Sequence, residues 1–347
     1  MPLTIVVGGQ YGGEGKGLIT AHLSQRADCL VKVGGPNSAH SFGAFGQMFR
    51  VRMMPSGSNL GVTNVIFPAG CLIHVDTLFA EMDMLQYNGQ ISIDYNCGIV
   101  DPDIVRAQQN DSFYSGVGST LTGTGHASSL RSLRRLRTAA HESRLQPFLA
   151  DTQSLLAGAL RAGKRVVVEG AQAFGLSNYH GHYPYVSSRD TTVGSFLGQM
   201  GLGPKLVDEI VLVIKCFPTR NSGGHGRLPH ELDEGYINCH EEFLVEKGGG
   251  TFGITGASRR VGLFDFEVVD KACVANTPTT IALTGADRLE AMLADKKVAS
   301  HYGSLDRLVD DIESRYDLPV SFISNGPWVS DVAERHTQTK AAHLQLL

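Results

Sequence analysis

The segment Leu3-Thr4-Ile5-Val6-Val7-Gly8-Gly9-Gln10-Tyr11-Gly12-Gly13-Glu14-Gly15-Lys16-Gly17 runs from apolar residues into glycines, and Leu18-Ile19-Thr20-Ala21-His22-Leu23 follows. A short apolar run reads as a buried strand, and the pattern beyond the glycines reads as a helix. Strand, glycine-rich loop and helix in that order build an anion site. Glycines let backbone N–H groups approach a ligand closely, the helix start adds partial positive charge, and Lys16 adds a full one. Phosphate is the natural guest. The segment is not a strict Walker A loop, which needs glycine where Gln10 stands and serine or threonine where Gly17 stands. The Rossmann spacing fails as well.

Further along, residues 29–33, 65–67, 91–93, 165–168, 209–215, 279–284 and 320–324 read as strands. Leu305, Leu308, Val309 and Ile312 have the spacing of an amphipathic helix, and Asp151 is placed to cap a helix running to Ala162. Residues 115–129, rich in Gly, Ser and Thr, read as a loop, and Leu130, Leu133, Leu136 and Ala140 mark one face of a helix after it. Strands alternating with helices predict an α/β fold, with a mainly parallel central sheet flanked by helices and ligands held by the loops that follow its strands. No repeat, linker or boundary interrupts the chain, so residues 1–347 are expected to form a single domain with long ligand-binding loops.

Composition narrows the function. With 42% hydrophobic and 18% charged residues, global disorder is excluded. A net charge of −4 argues against a nucleic-acid surface. The 41 glycines cluster without a collagen period, which suggests backbone-built ligand loops. Cys29, Cys71, Cys97, Cys216, Cys239 and Cys273 lie far apart with no C-x-x-C, so neither a zinc ribbon nor a thioredoxin-type site is expected. Scattered thiols fit a reducing compartment. No apolar run approaches the ~20 residues of a membrane span, and residues 3–7 lack the flanks of a signal peptide. The expectation is a cytoplasmic protein without membrane or nucleic-acid partners.

The wider string is more specific. Gly9-Gln10-Tyr11-Gly12-x-Glu14-Gly15-Lys16-Gly17 resembles the N-terminal signature of the adenylosuccinate synthetase family. The resemblance continues at Asn37-Ser38-Ala39-His40-Ser41, from Gly118-Ser119-Thr120 through Arg134-Arg135, and at Glu169-Gly170-Ala171-Gln172. It extends to His180-Gly181-His182-Tyr183-Pro184-Tyr185-Val186-Ser187-Ser188, Thr255-Gly256-Ala257-Ser258-Arg259-Arg260 and Ile323-Ser324-Asn325-Gly326-Pro327. These matches keep the family's order over nearly the whole chain, which is shorter than the common bacterial and eukaryotic enzymes. The implied fold is P-loop-NTPase-like without a strict Walker A motif.

The resemblance implies a C–N ligase. Family members phosphorylate the 6-oxygen of a purine monophosphate with a nucleoside triphosphate and Mg²⁺, then displace the phosphate with L-aspartate. It implies that Gly12, Gly13, Glu14, Gly15, Lys16 and Gly17 hold the transferring phosphoryl group, with the carbonyls of Gly13 and Ala39 on Mg²⁺. His40 would be the acid at the 6-oxygen, and Gln172 would hydrogen-bond that oxygen. Asn37, Ser119, Thr120 and Ser187 would bind the monophosphate. Arg134 would reach the neighbouring subunit's site, which implies a homodimer; otherwise it belongs to a solvated basic face. Thr255 and Arg259 would bind aspartate. Asp287, Asn325 and Gly326 would meet the triphosphate's base; Asp287 equally suits a helix start. Trp328 either stacks on an adenine or packs into the core.

Three departures matter. The family has aspartate, its general base, where this chain has Gly13. Glycine there opens space beside purine N1 and C2, which suits the 2-amino group of guanine, as in the phage branch of the family that acts on dGMP. Ala257 replaces an arginine that contacts the ribose 2′-hydroxyl, which favours a deoxynucleotide. Gly285-Ala286-Asp287 lacks the lysine that packs on the guanine of GTP, so ATP or dATP is expected as donor, with GTP as the alternative. The reading is a ligase making N6-succino-2-amino-2′-deoxyadenylate, in the host cytoplasm if the chain is phage-encoded. The rivals are a conventional synthetase using IMP and GTP, and a catalytically inactive purine-nucleotide-binding homologue.

Overall fold

β1 (Leu3–Gly8) is the strand that places the site. Its alternation sends Leu3, Ile5 and Val7 into one apolar cluster and Val6 into another on the opposite face. A computed structural model describes residues 2–221, 226–243 and 259–335. In it β1 is a central strand of a ten-stranded sheet. The others are β2 (Cys29–Lys32), β3 (Asn64–Phe67), β4 (Gln90–Asp94), β5 (Leu149–Ala150) and β6 (Val166–Glu169). They continue with β7 (Glu209–Lys215), β8 (Thr280–Thr284), β9 (Val320–Ser324) and β10 (Val332–Glu334).

The spatial order is β10-β9-β8-β7-β1-β6-β2-β3-β4-β5. Neighbours are parallel except β9 and β10. This is the α/β fold with a mainly parallel sheet that the alternation of strands and helices predicts. Both faces are covered, as β7 shows: Ile210, Leu212 and Ile214 face one core, Val211 and Val213 the other. Val6 is in register with Glu169 of β6, and Glu169 with Lys32 of β2. The carboxyl ends of β1, β6, β2 and β7 therefore lie side by side, where open parallel sheets bind ligands.

The predicted helices at 152–161 and 305–316 form, capped by the side chains of Asp151 and Ser304. Elsewhere the expectations need correction. Residues 115–129 are not all loop, because helices occupy Ser112–Gly116 and Thr124–Ser132. The second ends before Leu136 and Ala140, so the apolar spacing of 130–140 does not mark one helix. Arg134 turns left-handed at φ 60°, while Arg135 N–H donates to Leu130 O and Arg134 N–H to Arg131 O. That pair of bonds is a Schellman stop. A hairpin, His40–Ala44 against Gln47–Val51, follows β2 and was not expected.

Candidate active site

The glycine loop leaves β1 and enters α1 (Lys16–Ser24), whose start has no side-chain cap. Its first backbone N–H groups therefore remain available to an anion. Glu14 folds back under the loop. Its Oε1 accepts from Gly12 N–H at 2.7 Å and Gln10 N–H at 3.3 Å, and its Oε2 pairs with Lys16 Nζ at 2.7 Å. Both side chains are buried, so the pair fixes where the ammonium sits. Thr284 Oγ1 donates to Glu14 O at 2.7 Å, which ties the loop to β8.

The two departures from a Walker loop have physical causes. Gln10 is wholly buried, and its carboxamide meets the backbone of Lys215: Nε2 donates to the carbonyl at 3.2 Å, and Lys215 N–H donates to Oε1 at 2.9 Å. A glycine could make neither bond. A Cβ on Gly17 would lie 2.6 Å from His40 Cβ and 2.8 Å from Ser56 Oγ, so the hydroxyl-bearing residue of a Walker loop does not fit. Gly13 has φ 73°, and a Cβ there would lie 2.7 Å from Thr219 Oγ1. The hydroxyl of Thr219 donates to Gly12 O at 3.2 Å, on the same side of the loop.

His40 opens the hairpin and is 8% exposed at the cavity wall. Its Nδ1 lies 2.8 Å from Glu169 Oε1, an ion-pair distance off the line of a well-formed hydrogen bond. The other carboxylate oxygen, Oε2, pairs with Lys32 Nζ, and Ser56 N–H donates to Oε1 at 3.2 Å. Burial alone would raise the Glu169 carboxyl; His40 and Lys32 overcome it and hold the group well below the ordinary carboxylate range. Burial pushes the His40 imidazole below its usual value, against the pull of Glu169. Lys32 and His40 together thus keep Glu169 ionised in spite of its burial.

Gln172 follows β6 in a left-handed conformation, φ 65°. Its Nε2 donates to Asn37 O at 3.1 Å and to Ser38 Oγ at 3.0 Å. The amide is thereby fixed against the loop that carries His40.

A cavity of about 580 Å³ gathers most of the predicted residues: Gly12, Gly13, Glu14, Gly15, Lys16, Gly17, Asn37, Ala39, His40, Thr120, Gln172, Arg259, Asp287 and Gly326 all line it. An adjoining cavity of about 320 Å³ adds Ser119 and Ser187, and shares Asn37, Thr120 and Gln172 with the first. These volumes lie in the range of small-ligand sites. Asp287 is exposed in the first turn of the helix Ala286–Met292, whose cap is Gly285. Three predicted residues line neither cavity. Arg134 is exposed at the Schellman stop. Asn325 N–H donates to Asp331 O at 3.0 Å. Trp328 packs on the hairpin, so close that a Cβ on Gly43 would lie 2.4 Å from its ring. Thr255 lies outside the described residues.

Sequence reasoning gave no role to Lys32, Glu169, Ser38 or Arg220. A lysine inside the apolar run 29–33 was a usable signal, since a buried charge demands a partner. Arg220 had none. Its guanidinium lies 5.5 Å from the centre of the Tyr11 ring, and burial lowers it to about 10. Burial also pushes the Tyr11 phenol up to about 12.

The chain is similar to known proteins over nearly its whole length. The adenylosuccinate synthetase family model matches residues 5–140 and 131–317. The adenylosuccinate synthetase of Methanococcus aeolicus is 37% identical over 338 residues, covering 94% of this chain and 97% of its own. That of Pyrococcus horikoshii is 35% identical, with 96% and 99% covered. Among solved structures, the fully ligated adenylosuccinate synthetase of Plasmodium falciparum superposes with a TM-score of 0.85 at 19% identity, covering 97% of this chain and 100% of that one. The succinoaminodeoxyadenylate synthetase of cyanophage S-2L superposes at 0.80 and 22% identity, covering 97% and 96%. A full-length match at such identity, with the signature residues gathered around one cavity, makes this chain a member of the adenylosuccinate synthetase family, the nucleotide-binding C–N ligases of purine biosynthesis.

Proposed function

We propose that this ligase joins L-aspartate to C6 of dGMP through a 6-phosphoryl intermediate. ATP or dATP supplies the phosphate. The products are N6-succino-2-amino-2′-deoxyadenylate, a nucleoside diphosphate and phosphate. The observation that carries the substrate is Gly13. The family's carboxylate is absent there, and the loop is built around its absence, with Thr219 close against the glycine. A purine bearing a 2-amino group meets no carboxylate side chain at that point. The cyanophage S-2L neighbour, described as bound to dGMP with dATP as energy donor, supports the reading.

In this reading Lys16 and the N–H groups of residues 12–17 hold the transferring phosphoryl group, and their fixed positions lower the reorganisation the reaction needs. His40 faces the developing charge on the 6-oxygen. Gln172 reaches the same oxygen by releasing one of its two amide bonds. Asn37, Ser119, Thr120 and Ser187 take the monophosphate in the adjoining cavity. Arg259, with Thr255, takes aspartate. Asp287 and Gly326 meet the triphosphate's base; Asn325 and Trp328, which line neither cavity, have no direct contact with it. Arg134 reaches the site of a second copy in a homodimer. Glu14 is occupied by Lys16 and two N–H groups, so a substrate carboxylate or water accepts the N1 proton.

Among the described residues, no three His, Cys, Asp or Glu side chains could form a metal-holding group. Gly13 and Ala39 line the cavity, and their backbone carbonyls, hard oxygen donors, would hold Mg²⁺ that arrives with the triphosphate and keeps phosphate and water ligands. The ion would neutralise phosphate charge during transfer.

A second reading, IMP with GTP, is favoured by the conventional synthetases among the curated relatives and by Asp287 at the cavity wall. Phosphate release with Mg²⁺, ATP and L-aspartate separates the two. Aspartate-dependent release with dGMP and not IMP is expected. Release with IMP alone overturns the substrate assignment. Binding without release under any donor overturns catalysis.

A further inference from the structure

Gln108 is buried, only 1% exposed, yet it reaches the wall of the second cavity from the helix Pro102–Asn110. Its Oε1 accepts from Gly125 N–H at 3.0 Å and from His126 N–H at 3.2 Å, in the first turn of the helix Thr124–Ser132. Gly123, at the start of that helix, has no side chain to do so. A backbone N–H can only donate, so the carboxamide cannot be turned over, and its NH₂ must face the other way. There Nε2 donates to Ser119 Oγ at 2.8 Å. The same oxygen accepts from Leu121 N–H at 3.3 Å. A serine hydroxyl has two lone pairs and one proton. Both lone pairs are taken, and among the described residues the proton has no acceptor. Ser119 itself lines the second cavity. A helix cap alone does not call for glutamine here. A carboxylate would hold the same N–H groups more strongly, through its charge at the helix start. The amide gives up that charge and sets a donor against Ser119.

We propose that Gln108 is a positioning residue that makes the Ser119 hydroxyl a fixed donor, aimed into the second cavity at the phosphate of the purine monophosphate. This inference rests on the place given to the monophosphate above. With both lone pairs engaged, the hydroxyl can meet only an acceptor, and phosphate oxygens are strong acceptors. Its orientation is set before the ligand arrives, so binding costs less ordering of the side chain. The dependence runs from the helix N–H groups to the Gln108 oxygen, from the Gln108 NH₂ to Ser119, and from the Ser119 proton to the ligand. A carboxylate at position 108 would keep the first link and reverse the last. Its second oxygen would draw the Ser119 proton inward, and its charge would oppose the phosphate.

The test is a double-mutant cycle in the full chain, read by calorimetric titration with dGMP. Ser119→Ala is expected to weaken binding at least about tenfold, the loss of a hydrogen bond to a charged group. Gln108→Met removes both ends of the bridge. It is expected to weaken binding at least about fivefold in the parent and less than about twofold beside Ser119→Ala. Equal losses in the two backgrounds overturn the proposal, because Gln108 would then act on the fold and not on Ser119. Gln108→Glu keeps the helix cap, so it should lose no stability in thermal unfolding, while dGMP binding falls further than in Gln108→Met. Parent-like binding by Gln108→Glu overturns the proposal even if Gln108→Met fails to fold. In turnover, KM for dGMP should rise in Gln108→Met, while kcat and KM for the triphosphate and aspartate stay within about threefold. IMP carries the same phosphate, so the same fold-losses are expected with it. Tighter binding of IMP than of dGMP would overturn the substrate assignment and leave the cycle valid. Parent-like binding of both by Ser119→Ala would remove the phosphate from this cavity, and the inference with it.

Discussion

Gly17 shows how a hydrogen atom can be a functional group. Any larger substituent strikes His40, the residue proposed to face the reacting oxygen, because His40 Cβ and Ser56 Oγ occupy the space. Gly17→Ser, which would write a Walker-like Lys-Ser into the chain, is therefore expected to push His40 off its carboxylate. The expected result is a loss of phosphate release of at least about a hundredfold, with about 1–3 kcal/mol lost in calorimetric stability. Glu169 gives the second prediction. Its native carboxyl lies below its ordinary value of 4.5, so its contribution to stability is present above that value and is lost as the pH falls below it. Denaturant unfolding from about pH 6 to about pH 3 should show a steep loss in the parent and a shallower one in Glu169→Gln. Equal slopes would mean that the pairing with Lys32 and His40 is not what holds the carboxyl down.

The element that best separates local from tertiary control is the helix Thr124–Ser132. Leu130, Leu133 and Leu136 are spaced as a helix face, yet the chain turns left-handed at Arg134 and stops. An arginine in that conformation is strained where glycine is at ease. Arg134→Gly is expected to leave stability unchanged or raise it by about 1 kcal/mol in thermal unfolding, while phosphate release falls. A fall in both would make Arg134 a structural residue. The strands were legible for a different reason: 210–214 is a continuous apolar run, as a strand covered on both faces must be, and 320–324 carries apolar residues at three of its five positions. The hairpin at 40–51 escaped notice because Gly43 and Gly46 break its alternation, and its packing partner, Trp328, lies far along the chain. In the site, the order of motifs was enough to gather Lys16, His40 and Gln172. It could not show that Lys32 and Glu169, 137 residues apart, meet across neighbouring strands.

For the molecule as a whole, the exposed Arg134 lies at neither cavity of its own chain, which suits a residue that completes a neighbour's site. Lys16→Ala and Arg134→Ala, each inactive alone, should restore release when mixed and allowed to exchange subunits. Random pairing leaves about a quarter of the sites intact. A mixture as silent as its components would confine Arg134 to its own chain. Gln10 has a wider consequence. Its carboxamide gives and takes the same two bonds with Lys215 that a peptide unit would, after β1 has already left the sheet. The ladder is prolonged by a side chain. The loop proposed to receive phosphate is thus mortised into the central sheet. It needs no disorder-to-order step on nucleotide arrival, so its shape is inherited from the sheet rather than induced by the guest.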